Sequence, residues 1–307
     1  MKPFLINRLL LGLLTLAVVT TIVFALVRLS GDPVGLLLPP GAPATEEFLT
    51  QFRASLGLDK PLMVQFLRFA KSALAGDFGV SFRRGRPAME MVLERVPASA
   101  ELAVVALAIA LLVGLIGGSV TALFRGRSID RYGTTLALFG QSFPNFWLGL
   151  MFILIFGVML RWFPPSGRLA WNSVILPGLT LAAYPLAQIT LLVRAGLIEV
   201  MSQDYIFVAR SKGLSEAKIL TRHALKNVAI PIITLMGLQA RYLLAGSIIV
   251  ETVFAWPGLG LLTIQAVDSR DFPVLQAVVF FLAIVVIVTN LIVDLLYAYV
   301  DPRIRLG

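Results

Sequence analysis

The sequence predicts an all-α integral membrane protein: six transmembrane helices, with a long helical loop after the first. Three observations carry this. Of 307 residues, 58% are hydrophobic and only 14% charged, and the mean hydropathy is +0.89, well above a soluble domain, where about half the residues are apolar. The apolar residues gather in six runs near the roughly 20 residues that a helix needs to cross a hydrocarbon core of about 30 Å. The Lys and Arg residues fall between these runs, so the +9 net charge reads as orientation in a bilayer rather than as a nucleic-acid surface.

The first run, 9–27, follows Lys2 and Arg8. It is longer than a secretory signal's apolar region and no Ala-x-Ala site follows, so it reads as a retained helix that Gly31, Asp32 and Pro33 stop. The other spans are expected at 99–124, 134–160, 174–193, 228–250 and 276–297. This divides the chain into an N-terminal helix at 1–30, an outer helical loop at 31–98 and a five-helix core at 99–307, with a polar inner loop at 194–227. In the outer loop, Met63, Phe66, Leu67, Ala70 and Leu74 form one apolar face after Pro61, and Val92, Leu93 and Val96 another after Pro87. Such helices pack on the mouth of the bundle or lie on lipid.

With the N-terminus inside, the inner segments hold 13 Lys and Arg residues and the short outer loops three, Arg161, Arg168 and Arg270. The long outer loop is discounted, because long loops cross regardless of charge, so both termini are expected in the cytoplasm.

Several chemistries are excluded. There is no cysteine and a single histidine, His223, so neither disulfides, thiolate metal sites nor a histidine cluster is expected. No Gly-x-x-x-x-Gly-Lys-Ser/Thr loop is present to cradle phosphates, and no His-Glu-x-x-His or serine with a nearby base supports an intramembrane hydrolase. Asp77, Phe78 and Gly79 match a kinase tripeptide without its companions and carry no function. A secondary transporter or channel is the alternative, but the inverted repeats, corresponding broken helices or midplane acids that would mark one are not evident.

The most informative segment is polar. From Asp204 to Lys226 the pattern predicts two helices with a bend at Gly213, which can take positive φ, and a second start at Ser215 with Glu216 behind it. In the second helix Ile219, Leu220, His223 and Ala224 share an apolar face, while Lys218, Arg222 and Lys226 form a basic stripe. Anionic headgroups alone could account for that stripe.

Asp204, Tyr205, Ala209, Arg210, Lys212, Gly213 and Leu214, with His223, Ala224, Leu225, Asn227 and Pro231, resemble the cytoplasmic coupling loop of ABC importer permeases. The likeness is to the peptide and nickel uptake subgroup, whose loop is longer between the glycine and the proline than in sugar importers. Val208, Ala209 and Arg210 stand where the general pattern has Glu-Ala-Ala, as is usual in the subgroup. The resemblance extends through Gly76, Asp77, Gly79, Ser81 and Phe82; Pro97, Glu101 and Leu102; Asp130 and Arg131; and the run from Pro144 to Gly149. It continues through Glu251, Phe254, Pro257, Gly258 and Gly260, then Asp268, Asp271 and Pro273, and ends at Asp301, Pro302 and Arg303. The long outer loop is similar to that of the first of the two permeases such systems encode.

What the resemblance implies is a type I ABC importer permease fold in a bacterial inner membrane. This chain would pair with a second permease, two cytoplasmic ATPases carrying ATP and Mg, and an extracytoplasmic solute-binding protein. It would itself bind no cofactor, metal or nucleic acid and catalyse nothing. Asp204, Tyr205, Ala209, Arg210, Lys212, Gly213, Leu214, Arg222 and His223 would couple it to the ATPases. Dipeptides or oligopeptides lead as the solute, with nickel chelates, glutathione and oligosaccharides behind.

Polar residues inside spans tend to face a bundle interior or a water cavity. Arg241, Gln188 and Gln141 are the candidates to line the pathway, Arg241 meeting a solute carboxylate or pairing with an acid of the partner permease. Asp294 is expected in a structural bond, and Glu251 at the outer boundary, unburied. Pro144 and Pro185 are expected to kink their spans.

Overall fold

In the computed structural model, residues 2–29, 45, 46, 50, 54 and 59–300 are described, without the side chains of 2–5, 241, 244–246 and 296–300. The expectations for Gly31, Asp32 and Pro33, for Asp301, Pro302 and Arg303, and for the Arg241 side chain lie outside these residues. Among the described residues all regular elements are helices, apart from one isolated bridge between Val80 and Pro87. The helices are α1 (Lys2–Leu29), α2 (Leu62–Leu74), α3 (Ala88–Leu123), α4 (Ser128–Ser142), α5 (Asn145–Phe152), α6 (Ile175–Met201), α7 (Asp204–Ser211), α8 (Glu216–Lys218), α9 (Leu225–Val253), α10 (Leu259–Asp268) and α11 (Phe272–Val300).

Among the described residues, Ile6–Leu29, Ala88–Leu123, Trp171–Met201 and Phe272–Leu295 are each long and apolar enough to cross a membrane. Residues 134–160, expected as one span, are instead two helices that meet at 108°. The break is at Pro144, which has no N–H to continue the helix and drives the residue before it out of the α region; Phe143 is extended at φ −94° and ψ 140°. Pro185, by contrast, stays inside the uninterrupted α6. The span expected at 228–250 lies within the 29-residue α9.

The chain divides into two compact units. The first draws on Met1–Pro97 and Leu262–Val288. Here Phe24 of α1 packs against Phe66 and Phe69 of α2, Phe69 meets Phe78, and Phe78 meets Phe280 of α11. This series of rings turns Phe66, Phe69, Ala70 and Ala73 inward, whereas Met63, Leu67 and Leu74 of the expected face are exposed. Between α2 and α3 the chain forms a tight turn whose Ser81 hydroxyl and Phe82 N–H both donate to the Asp271 carboxylate. The separate outer helix expected around Val92 is the first part of α3, which runs on through Pro97.

The second unit draws on Ala98–Leu261 and Thr289–Gly307. Its core is built on Ala98, Leu102, Ala106 and Ala110, four small or apolar residues one helical turn apart on α3, packed in one cluster with Leu181, Ile189 and Val193 of α6 and Val228 and Ile232 of α9. At one end of this core Glu251 is fully buried, which corrects its expected place at an exposed boundary. The chain turns back after α9, so that Gly260 and Leu261 N–H donate to Glu251 Oε2 at 2.7 and 3.2 Å while Ser99 Oγ donates to Oε1 at 2.7 Å. A Cβ on Gly258 would collide with that carboxylate. Trp256 closes the knot by donating to the Ala98 carbonyl at 2.8 Å.

Candidate functional site: the polar elbow and the cavity above it

Between α6 and α9 the chain makes an elbow. Gln203 is extended, and α7 begins at Asp204, an acid in the first turn, and ends with Arg210 in the last, both favoured by the helix dipole. Its end is a Schellman turn. Gly213, at φ +76°, donates to the Arg210 carbonyl at 2.9 Å, and Leu214 donates to that of Ala209 at 3.3 Å. The chain then re-enters a helix at Glu216 and passes without a break through a π-helical turn, Ile219–Ala224, into α9. Ser215 takes the expected N-cap position but makes no side-chain cap.

The elbow has its own small core. Ile206 and Ala209 of α7 are buried against Ile219, with Val200, Met201 and Leu214 packed around them. Across the bend Arg210 grips Glu216 with two hydrogen bonds, Nε to Oε1 at 2.7 Å and Nη2 to Oε2 at 3.2 Å. Donation from this guanidinium lowers the Glu216 pKa below the usual carboxylate value, and the carboxylate raises that of Arg210. Tyr205 Oη accepts from Asn227 Nδ2 at 2.9 Å, tying α7 to the first turn of α9. The elbow's exposed side carries Tyr205, Phe207, Val208 and Lys212, with Phe207 72% exposed. Asp204 and Arg222 are also exposed, and His223 is half-buried.

The sequence pattern did not single out Phe207 and Val208 as exposed, because an apolar residue in a short amphipathic helix is ordinarily assigned inward. It also missed the brace, although an Arg and a Glu six residues apart with a helix-ending glycine between them is a readable signal. Asn227 was named only for its place in the pattern.

In the core above, Gln188 Nε2 donates to Gln141 Oε1 at 2.6 Å, so two of the three pathway candidates meet. Gln188 also lines a cavity of about 470 Å³ with Pro231, Thr234, Leu235 and Leu238 of α9. The rings of Tyr184 and Tyr242 lie 4.7 Å apart. Arg241 belongs to α9. No group of His, Asp and Glu residues among those described could hold a metal ion.

The family described as Binding-protein-dependent transport system inner membrane component matches residues 114–306, and its N-terminal companion matches residues 1–103. The glutathione transport system permease protein GsiC of Salmonella paratyphi A (strain ATCC 9150 / SARB42) is 43% identical over 306 residues, 99% of each chain. That of Escherichia coli (strain K12) is 41% identical over the same length and coverage. Among solved structures, an inward-facing conformation of the MetNI methionine ABC transporter (CY5 native crystal form) gives a TM-score of 0.58 at 19% identity, covering 69% of this chain and 97% of that one. That likeness establishes the type I permease fold.

Proposed function

This chain belongs to the family of binding-protein-dependent transport system inner membrane components, and from that premise we propose what it carries and how it is driven. As a permease subunit of an ABC importer it is a multi-pass inner-membrane protein, and ATP is hydrolysed on separate subunits. In the proposed assembly it pairs with a second homologous permease, on two cytoplasmic ATPases, below an extracytoplasmic binding protein, with both of its own termini inside.

The single observation that carries the coupling mechanism is the elbow's construction. α7 is braced from within by Ile206, Ala209 and Ile219 and by the Arg210–Glu216 pair, and it presents Tyr205, Phe207 and Val208 outward. A short helix held rigid with an exposed apolar edge suits a groove in a partner. Closure of the two ATPases then moves α7 as a lever, and Tyr205 passes the displacement to α9 through Asn227.

The solute we propose is a short peptide or a peptide-like molecule. Glutathione, named for the relatives, is itself a tripeptide. Gln188 donates one hydrogen bond to Gln141, and each amide can exchange that partner for a peptide amide with no charge to desolvate. Arg241 of α9 is the proposed partner of the solute carboxylate. The experiment is uptake in vesicles that hold this chain, its partner permease, the ATPases and the binding protein. Glutathione and dipeptides accumulate only with ATP and binding protein together; uptake without ATPases would overturn the assignment. Gln188→Ala is expected to weaken uptake without loosening the ATPases.

A further inference from the structure

The first unit holds a cavity of about 300 Å³ where the end of α1, one face of α2 and the turn after α2 come together. Gln65, Arg68, Phe69 and Ser72 line it, and their three- and four-residue spacing puts them on one face of α2. Arg28, in the last turn of α1, lines it too and lies over the ring of Phe24, 5.2 Å from its centroid. The end of α2 brings a carboxylate to the same place. Gly76, at φ +77°, donates to the Ala73 carbonyl at 3.0 Å, and the Asp77 N–H donates to that of Ser72 at 2.9 Å, a Schellman turn. Asp77 then lines the cavity, with Oδ1 accepting from the Gly79 N–H at 2.9 Å.

This carboxylate and the guanidinium groups border one small space without meeting. Neither Arg28 nor Arg68 is in ion-pair range of Asp77, and among the described residues Arg68 has no acid partner and Asp77 no cationic one. Phe69 and the buried Phe78 supply an apolar wall. A plain anion in this space faces the Asp77 carboxylate, and a plain cation faces the guanidinium groups; each meets a like charge at close range. A molecule that carries a carboxylate and an ammonium together satisfies both signs. Guanidinium donates to a carboxylate in pairs, and an ammonium is held by a carboxylate and by the face of an aromatic ring. A volume of about 300 Å³ is at the small end of ligand pockets, which run from roughly 300 to 1,000 Å³, so it admits an amino acid or one end of a short peptide.

We propose that this cavity binds the α-amino-acid end of a small peptide-like molecule, its carboxylate held by Arg68 with Arg28 adding positive charge, and its ammonium held by Asp77 beside the Phe69 ring. The site belongs to the first unit, whereas Gln141, Gln188 and Arg241 belong to the second. It is thus a second solute site in addition to the pathway residues. It deepens the reading of the solute as peptide-like and takes its probe from that reading.

The test is equilibrium dialysis of radiolabelled glutathione against the assembled importer, permeases and ATPases together in phosphatidylcholine nanodiscs, without nucleotide or binding protein. One glutathione per copy of this chain is expected to bind. Glutamate, which carries the same end, displaces it, and N-acetylglutamate, whose ammonium is gone, does not. Arg68→Gln and Asp77→Asn each weaken binding about tenfold, the loss of one charge-assisted hydrogen bond. Asparagine keeps the oxygen that accepts from Gly79, so the turn stays. Ser72→Phe fills the cavity with every charge in place and weakens binding too, whereas Lys71→Gln, on α2 but outside the cavity, leaves it unchanged. Undiminished binding in all three cavity variants overturns the proposal, as does equal displacement by glutamate and N-acetylglutamate. So does binding that falls with Gln188→Ala instead, which would put the label in the pathway. Loss of the label on replacing phosphatidylcholine with phosphatidylethanolamine would make the occupant a lipid headgroup and overturn it equally. Failure of the solute reading is distinguishable: glutathione uptake without this binding sinks the cavity site alone, and binding without uptake supports the site while sinking the proposed solute.

Discussion

Asp130 and Glu251 are both buried carboxylates of the second unit, and each is satisfied in a different way. Asp130 is held by a guanidinium and a backbone N–H, and Glu251 by two backbone N–H groups and a hydroxyl. Removing one member of a buried ion pair strands the other charge at a cost of roughly 3–5 kcal/mol. Asp130→Ala is therefore expected to lower the thermal stability of the purified complex by about that much, and Arg194→Ala in the same background to recover part of it. An additive double variant would show that the two side chains act separately. For Glu251→Ala the stranded groups are backbone donors, with a loss of roughly 3 kcal/mol expected. Glu251→Gln keeps one acceptor oxygen and should lose less. Trp256 fluorescence reports on this knot directly, since its indole N–H is bonded within it. Little of this was legible beforehand. The pattern around Asp130 and Glu251 could be matched, but an acid at the end of an apolar run looks solvent-exposed in sequence. Only the fold-back at Gly258 and Gly260, each without room for a Cβ, brings the donors to Glu251.

At the scale of elements, local chemistry was legible where it decided the outcome alone and illegible where a partner decided it. Gly213 ends α7 as expected because glycine, with no Cβ, takes φ +76° at no steric cost. The face of α2 was only partly placed: Gln65, Arg68 and Lys71 mark its polar side, but the apolar side is broad, and Phe69, which meets Phe24 and Phe78, turns the packed stripe away from Met63, Leu67 and Leu74. Pro144 was foreseen as a kink, and with Phe143 extended before it the chain there turns through 108°. The same distinction yields two predictions for the elbow. Gly213→Ala forces a left-handed conformation on a residue with a Cβ, costing roughly 1–2 kcal/mol locally. It should reduce co-purification of the ATPases while membrane insertion, followed by protease protection, is unchanged. Phe207→Ser leaves the elbow's inner core and brace intact and removes its most exposed large apolar side chain. Weakened ATPase association with undiminished thermal stability is expected; normal association would show that α7 does not dock by this edge. Tyr205→Phe separates docking from transmission. The ring remains while the bond to Asn227 is lost, so ATPases should stay bound and hydrolyse ATP with less solute moved per ATP.

For the whole molecule, class and architecture were legible because they follow from summed properties. Six apolar runs, their spacing and the Lys and Arg distribution each average over many residues, so errors in single boundaries leave the conclusion intact. The solute was not legible, because it is fixed by few contacts, and the residues proposed to make them could be picked out only as polar groups inside apolar runs. Orientation is the global property most open to direct test. The proposed orientation, with both termini in the cytoplasm, rests on thirteen basic residues in the segments it puts inside against three in the short loops it puts outside, with the long loop set aside for its length. If loop length is what licenses that discount, moving charge between short segments should change the topology while moving it within the long loop should not. Arg125→Gln, Arg127→Gln and Arg131→Gln together, with three lysines inserted in the short outer loop near Arg168, reverse the local bias between α3 and α6. Phosphatase and fluorescent-protein fusions at the C-terminus are then expected to report a mixed orientation, whereas three lysines added near Arg83 in the long loop leave the C-terminal reporter cytoplasmic. A phosphatase-active C-terminus in the unaltered chain would refute the orientation and, with it, the placement of the α7 elbow on the ATPase side.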